Sequence, residues 1–414
     1  VRIMIAAVGT RGDVAPYTGL GVALREAGHE VAIAAYQPFE DLVSACGIEF
    51  RGLPGDPRAA GSWTQSGQAG RAWSGPFEFP RLLRAIAAET RELLDGIHAA
   101  AQRGVDLMLL SMPAVLAIHV ADGMRVPSMG VFLQPVFPTR EFPPSVIAVG
   151  RSMGRWGNLA AGRLTIDMMG RLFNGLIKDI RADFGLPRLS ARELRSRMEN
   201  WPVLHGYSPS VLPRPADWRT ELEVVGYWWP WRAKNWTPPD RLADFLDSGP
   251  APVYVGFGSR NLDNSAELSA LVLAALREAG VRGVIQAGWA ELSVVADDVI
   301  TIDEAPHDWL FPRMAAVAHH AGAGTAAAAL RAGVPTIPMP VLADQPFWAA
   351  RMSAMGVATP AIPLKRMSVD SLAAAIKAAV SNRAYRDNAV AASRAIAAED
   401  GAARAIDAIT RRHH

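Results

Sequence analysis

The stretch that most restricts the fold is residues 314–333, where a short apolar run, a glycine-rich turn and an alanine-rich helix follow one another directly. Met314-Ala315-Ala316-Val317-Ala318 reads as a buried strand. Ala326-Ala327-Ala328-Ala329-Leu330 reads as a helix, closed by Gly333. Between them stands His319-His320-Ala321-Gly322-Ala323-Gly324-Thr325. A turn of this kind points several backbone N–H groups outward and adds the positive end of a helix to them, which makes a seat for phosphate. Gly322 and Gly324 admit a ligand close to the backbone, Thr325 adds a hydroxyl, and a strand-end histidine can donate to a phosphate oxygen. Asp344-Gln345-Pro346-Phe347-Trp348 follows, with a carboxylate and an amide that suit neighbouring sugar hydroxyls. Phosphates together with a polyol point to a nucleotide sugar.

The rest of the chain repeats the strand–helix alternation. A strand at 2–8 meets the turn Gly9-Thr10-Arg11-Gly12-Asp13, and a helix runs on to Ala27 with Gly28 as its stop. Strands are expected at 30–35, from 48, at 107–111 and at 128–133, with a helix near 38–46. Such β-α-β units predict a parallel sheet covered on both faces. Residues 54–80 and 134–160 break the rhythm and read as irregular binding loops. A proline- and tryptophan-rich connector passes through Trp218 to Gly226-Tyr227-Trp228-Trp229-Pro230-Trp231. Its tryptophans suit interdomain packing. Alternation restarts with a strand at 253–259, a helix near 265–279, a strand at 283–287 and another at 334–339. An Ala- and Arg-rich helical region, 384–411, ends it.

A chain of 414 residues suggests two domains of about 200 residues each. The net charge of +2 comes without a basic run, which argues against nucleic-acid binding. The single cysteine, Cys46, excludes an intrachain disulfide and a cysteine-based zinc site, and reads as a small core residue. No apolar run reaches the ~18 residues a membrane span needs, and the first residues read as a strand, not a leader. A cytoplasmic location is expected. Membrane-surface association through the apolar loops is a third alternative but is not predicted, and the oligomeric state is open.

With these residues assembled, the chain resembles the nucleotide-sugar glycosyltransferases of the GT-B fold, in the branch of sterol 3-β-glucosyltransferases and actinobacterial antibiotic glycosyltransferases. The resemblance rests on Gly9-Thr10-Arg11-Gly12-Asp13-Val14-Ala15-Pro16, Pro215-Ala216-Asp217-Trp218, Val225-Gly226-Tyr227-Trp228 and Val255-Gly256-Phe257-Gly258-Ser259. It continues through Ala305-Pro306-His307-Asp308-Trp309-Leu310-Phe311-Pro312, the His-His segment and the Asp-Gln-Pro-Phe-Trp block, in order along nearly the whole chain. It implies two Rossmann-like, doubly wound parallel-sheet domains facing across a cleft. The acceptor half would cover 1–207, the linker 208–240, the nucleotide-sugar half 241–383, and a helical region 384–414 that can cross back to the first half. It also implies inversion at the anomeric carbon in one displacement, with no metal and no cofactor besides the donor substrate.

Asp13 is the candidate general base, three residues before Pro16, where many relatives carry a histidine three residues before proline. A carboxylate there could take the acceptor hydroxyl's proton. The plain alternative is that Asp13 caps the first helix. By the family pattern His320 would donate to the diphosphate, with Gly322, Gly324 and Thr325 completing the seat and His319 structural. Ala321 stands where the family has glycine. Ser259 and Trp289 would lie along the nucleotide, and Asp344 and Gln345 would hold the donor sugar. Arg11, Gly12 and Arg260 are weaker donor-side candidates. His307 reads as a loop-capping residue.

The expected activity is transfer of a hexose from a dTDP or UDP donor to a hydroxyl of a hydrophobic acceptor, a polyketide-type metabolite first and a sterol or lipid second. A nucleotide-sugar 2-epimerase shares the fold but has no use for an apolar acceptor pocket. A catalytically silent activator that binds the nucleotide sugar is the non-enzymatic rival, with no need of Asp13, His320, Asp344 and Gln345 together.

Overall fold

The structure is a computed structural model, and it describes residues 1–57, 78–145, 152–258, 265–288, 292–294, 296–341 and 343–413. The first half carries seven parallel strands: β1 (Arg2–Ala6), β2 (Glu30–Tyr36), β3 (Glu49–Leu53), β4 (Leu107–Leu110), β5 (Ser128–Phe132), β6 (Val203–His205) and β7 (Leu222–Val224). Their order across the sheet is β3-β2-β1-β4-β5-β6-β7. The second half carries β8 (Val253–Gly256), β9 (Gly283–Gln286), β10 (Val299–Ile302), β11 (Ala316–His319) and β12 (Thr336–Pro338), in the order β10-β9-β8-β11-β12. Both are the doubly wound parallel sheets the alternation predicts. β1, β4, β5, β8 and β11 are apolar and buried almost throughout, as strands covered by helices on both faces must be.

Strand order reverses between β1 and β4 in one sheet and between β8 and β11 in the other. At such a reversal the connections leave toward opposite faces, which opens a crevice at the carboxyl ends of the strands. At the first reversal the Ser111 hydroxyl accepts from the Val8 N–H at 3.2 Å. At the second, His319 pairs with Gly256.

The connector does pack against both halves. Trp228 is buried in the first core, and its indole N–H donates to the Gly401 carbonyl at 3.2 Å. The Trp231 N–H donates to the Thr18 hydroxyl at 3.0 Å, and Arg331 lies 4.3 Å over the Trp229 ring. Gly226 takes φ +109, and a β-carbon on it would sit 3.1 Å from the Gly401 Cα. Two glycines therefore let the backbones touch where the chain returns. The last helix, Gly401–His413, lies against the first, Arg11–Glu26. Arg411 and Arg412 pair with Glu223, while Ser208 and Ser210 donate to Glu399. Ala326, Leu330, Phe347, Trp348 and Met352 from the second half belong to the same apolar cluster as the first sheet.

Several expectations need correction. The expected helix near 38–46 is a single 3-10 turn at Gln37–Phe39 followed by Glu40–Ser44. The final helical region is present as expected, as two helices, Arg383–Ala397 and Gly401–His413. The stretch 134–160 is not loop throughout, since a helix, Gly154–Leu172, begins inside it. Of 54–80, residues 58–77 lie outside the described residues, and the helix Glu78–Gln102 takes over from there. Cys46 is buried in the core as expected.

Candidate functional site

Two strand–turn–helix units build the site, one at each sheet reversal. In the first, β1 leads through Gly9 into the helix Arg11–Glu26, whose N-cap is Thr10. Asp13 is therefore the third helical residue and not the cap. Its Oδ2 accepts from the Thr10 N–H at 2.9 Å and from the Thr10 hydroxyl at 3.0 Å. The reach back to the N-cap amide satisfies one of the donors a helix start leaves open. Gly9 makes room for it: a β-carbon there would stand 2.5 Å from Asp13 Oδ2, and its φ of +132 suits glycine alone. Asp13 is half-buried. Burial pushes its carboxyl above the usual range, against the downward pull of the two Thr10 bonds. A carboxylate so tuned is a better proton acceptor than a free one.

In the second unit, β11 leads through His320 and Ala321 into the helix Ala323–Ala332, with Gly322 as N-cap and no side chain closing the helix start. Its first N–H groups are left for a ligand or solvent. Ala321 adopts φ +63, buried, a conformation that glycine takes without strain: the left-handed region costs a side-chain-bearing residue about 1–2 kcal/mol. Gly333 ends the helix at φ +67, as read from the sequence.

The two histidines sit in different environments. His319 is fully buried, and its Nδ1 accepts from the Ala321 N–H at 3.1 Å, so its proton belongs on Nε2. Burial pushes it down to about 3, a neutral ring that shapes the turn. His320 is half-buried and stands between two glycines. A β-carbon on Gly258 would lie 2.5 Å from its Cε1, and one on Gly322 would lie 2.5 Å from its Nε2. The glycines of both motifs exist to seat this ring. Gly288 approaches from the β9 end, 2.9 Å from the Gly258 carbonyl oxygen by the same measure.

The two units face each other. A β-carbon on Gly324 would lie 3.9 Å from the Gly12 carbonyl oxygen. Arg11 crosses to Glu304 at 3.1 Å. The uncapped helix start at Gly322 and the Asp13 turn thus face each other, and Arg11 is engaged with Glu304 there.

Asp344 precedes the helix Gln345–Ala354 as its N-cap without capping it by side chain. Its Oδ2 instead accepts from the Trp348 indole N–H at 3.0 Å, one turn on. Gln345 is turned inward, 4% exposed, with Oε1 accepting from the Val341 N–H at 2.8 Å. That bond braces the turn carrying Ala343, which has φ +56. Phe347 meets Phe142 of the first half at 5.4 Å, an apolar wall beside these polar groups. Ser259, Arg260 and Trp289 lie outside the described residues. His307 stacks on Phe311 at 4.2 Å, and burial lowers it to about 4. Sequence reasoning missed Thr10, Glu304 and Trp348. Thr10 left a signal, since threonine three residues before an acid is a capping pattern, and so did Trp348, which stands four residues after Asp344 on one helix. Among the described residues, no group of three or more His, Cys, Asp or Glu residues is placed to hold a metal ion.

Two parallel doubly wound sheets whose reversal points face across a cleft, one bearing a carboxylate and the other an uncapped helix start, define a GT-B transferase. Comparisons with known proteins agree. Residues 3–143 match the glycosyltransferase family 28 N-terminal domain, and residues 262–408 match the C-terminal domain of erythromycin biosynthesis protein CIII-like proteins. The chain is 36% identical to O-mycaminosyltylonolide 6-deoxyallosyltransferase of Streptomyces fradiae over 411 residues, covering 97% of this chain and 95% of that one. It is 31% identical to a sterol 3-beta-glucosyltransferase of Arabidopsis thaliana over 426 residues, 99% of this chain and 68% of that protein. It spans 27% of a Neurospora crassa sterol 3-beta-glucosyltransferase. Among solved structures, the glycosyltransferase of kitacinnamycin superposes with TM-score 0.70 at 20% identity, covering 99% of this chain and 98% of that one. Glycosyltransferase VinC, in complex with dTDP, superposes with TM-score 0.68 at 17% identity over 99% of each chain. The chain belongs to the GT-B nucleotide-sugar glycosyltransferases, in the group shared by sterol and antibiotic glycosyltransferases.

Proposed function

We propose that the protein moves a hexose from a dTDP or UDP donor to a hydroxyl of a hydrophobic acceptor, of polyketide type, with inversion and without a metal. The observation that carries this reading is the placement of Asp13 opposite the uncapped helix start at Gly322. Asp13 takes the acceptor hydroxyl's proton as that oxygen attacks the anomeric carbon, and the diphosphate departs from the far side. The backbone N–H groups after His320, the helix N-terminus and Thr325 stabilise the departing charge. His320 donates to the diphosphate, and Asp344, held by Trp348, accepts from donor-sugar hydroxyls. Gln345 contributes from within as the brace of that turn. No cofactor beyond the donor substrate enters these steps. The acceptor class follows the Streptomyces relative, whose name specifies a tylonolide. The second reading, UDP-glucose transfer to a sterol or lipid, is favoured by the plant relative's match over 99% of this chain.

A transfer assay with dTDP- and UDP-hexoses against a macrolactone and a sterol tests both. An α-linked donor should yield a β-linked product by its proton coupling constant, with rates unchanged by EDTA. A product of retained configuration would overturn the single-displacement mechanism. Nucleotide binding with no transfer to any acceptor would favour the silent-activator alternative.

A further inference from the structure

Arg11 holds the first position of the helix Arg11–Glu26. A cation there faces the positive end of the helix, so helix stability gives no reason for it. Asp13, two residues on, already complements that helix start. The Arg11 side chain, 47% exposed, instead leaves the first half and meets Glu304, 57% exposed, at 3.1 Å. An ion pair so open to solvent contributes little to stability, because water screens it and two long side chains must be ordered. A residue that disfavours its own helix and gains little from its partner marks a place where function overrides folding.

The surroundings of Arg11 indicate that function. Its neighbour Gly12 turns a carbonyl oxygen to within 3.9 Å of a β-carbon placed on Gly324, the second residue of the open helix start. The helices Arg11–Glu26 and Ala323–Ala332 touch, and the short helix His307–Leu310 packs on the latter as well. Arg11 and Glu304 therefore both stand beside the turn at Gly322. After burial, the Arg11 charge is the next cause that lowers His307, so the guanidinium lies close to that segment. The segment Asp303-Glu304-Ala305-Pro306-His307-Asp308 carries three acids. Asp308 is met by Arg232 at 3.3 Å, and Glu304 by Arg11.

We propose that Glu304 and the donor diphosphate compete for Arg11, whose guanidinium leaves the carboxylate for phosphate oxygens when the nucleotide sugar binds. The inference rests on the reading of the turn at Gly322 as the phosphate seat. A diphosphate draws the guanidinium away because it carries more charge than one carboxylate and offers paired oxygens to the planar fork. Glu304 is a positioning residue: it keeps Arg11 extended toward the second half, where an arriving phosphate meets it. Arg11 belongs to the first half, so its transfer ties both halves to one donor. When the diphosphate departs, Glu304 takes the guanidinium back.

The test is isothermal titration of the full chain with dTDP and UDP, and with thymidine and uridine as phosphate-free controls. Arg11→Gln should weaken the bound nucleotide about tenfold and leave nucleoside affinity unchanged. Glu304→Gln should have the opposite sign, strengthening the nucleotide about threefold, with the gain shrinking as salt is raised. With Arg11→Gln already present, Glu304→Gln should add almost nothing, because the competition has lost its object. Both side chains are about half exposed, so melting curves should not move. Binding of neither nucleotide by the unaltered chain would overturn the phosphate seat and this proposal with it. Nucleotide binding that Arg11→Gln leaves unchanged or strengthens would overturn this proposal alone and leave the ion pair a latch between the halves. A gain from Glu304→Gln that persists in full beside Arg11→Gln would also overturn it, since Glu304 would then act on the nucleotide directly.

Discussion

The two cleft turns are built alike and do opposite work. Each follows a strand at a sheet reversal, each opens a helix, and each has glycine as the second helical residue: Gly12 in one, Gly324 in the other. They part at the third residue. Asp13 brings a carboxylate back onto its own helix start and binds the Thr10 N–H at 2.9 Å. Thr325 brings none, and the helix start at Gly322 has no side-chain cap. A helix start that carries its own anion repels a phosphate, whereas an open one attracts it. One position thus separates a helix start that carries its own carboxylate from one left open, the contrast on which the proposed function rests.

The largest expected effect breaks the first turn. Asp13→Asn should lower turnover by about 10²–10⁴-fold, the usual weight of a general base. Asn keeps a carbonyl oxygen for the Thr10 N–H, so stability should stay within about 1 kcal/mol. Unchanged turnover with lower stability would reduce Asp13 to a helix-start brace. A rate–pH profile sharpens this. Because burial raises the Asp13 pKa, the acid limb of kcat should fall above the ordinary carboxylate range.

The next effect lies in the second turn. Gly322→Ala would drive a methyl to within 2.5 Å of the His320 ring. Loss of one charge-assisted hydrogen bond is worth about 1.5–3 kcal/mol, so nucleotide affinity should fall at least tenfold. Isothermal titration with dTDP and UDP checks it.

A different effect, on stability and not on binding, is shared by both halves. His119 and His307 are lowered to about 4, and His205 and His319 to about 3, in each case mainly by burial. The unfolded chain binds these protons near pH 6.5 and the folded chain does not. Their stabilisation is therefore complete above about pH 6.5 and is lost as pH falls toward 4. Each such group contributes up to about 1.4 kcal/mol per pH unit inside that window. Denaturant melts between pH 7.5 and 4.5 should show the fall. A flat profile would mean that these rings are protonated when folded.

The smallest effect is Ala321→Gly. Relief of the left-handed backbone, about 1–2 kcal/mol, opposes the loss of a buried methyl and the greater freedom of unfolded glycine. Net stability should move by less than about 1 kcal/mol, with nucleotide affinity unchanged.

What the sequence made legible follows the same contrast. Both turns could be read because glycine, threonine and histidine at fixed positions after an apolar strand encode backbone geometry locally. The buried, structural place of His319 and the αL stop at Gly333 followed. The helix Gly154–Leu172 was not legible, because its apolar residues point outward and leave no inward stripe of large side chains. The strands β6 and β7 are three residues each, too short to carry a period. Arg11 with Glu304 joins the two halves. Such pairings are set by how elements meet, which a local reading does not contain.

The most direct measurement is nucleotide affinity in two variants side by side, Asp13→Asn and Thr325→Asp, titrated with dTDP and UDP. Asp13→Asn should bind as the unaltered chain does. Thr325→Asp gives the second turn the carboxylate of the first, and its affinity should fall about 30-fold, the equivalent of roughly 2 kcal/mol at a helix start. Weakened binding in Asp13→Asn, with Thr325→Asp unaffected, would contradict the assignment of the two walls.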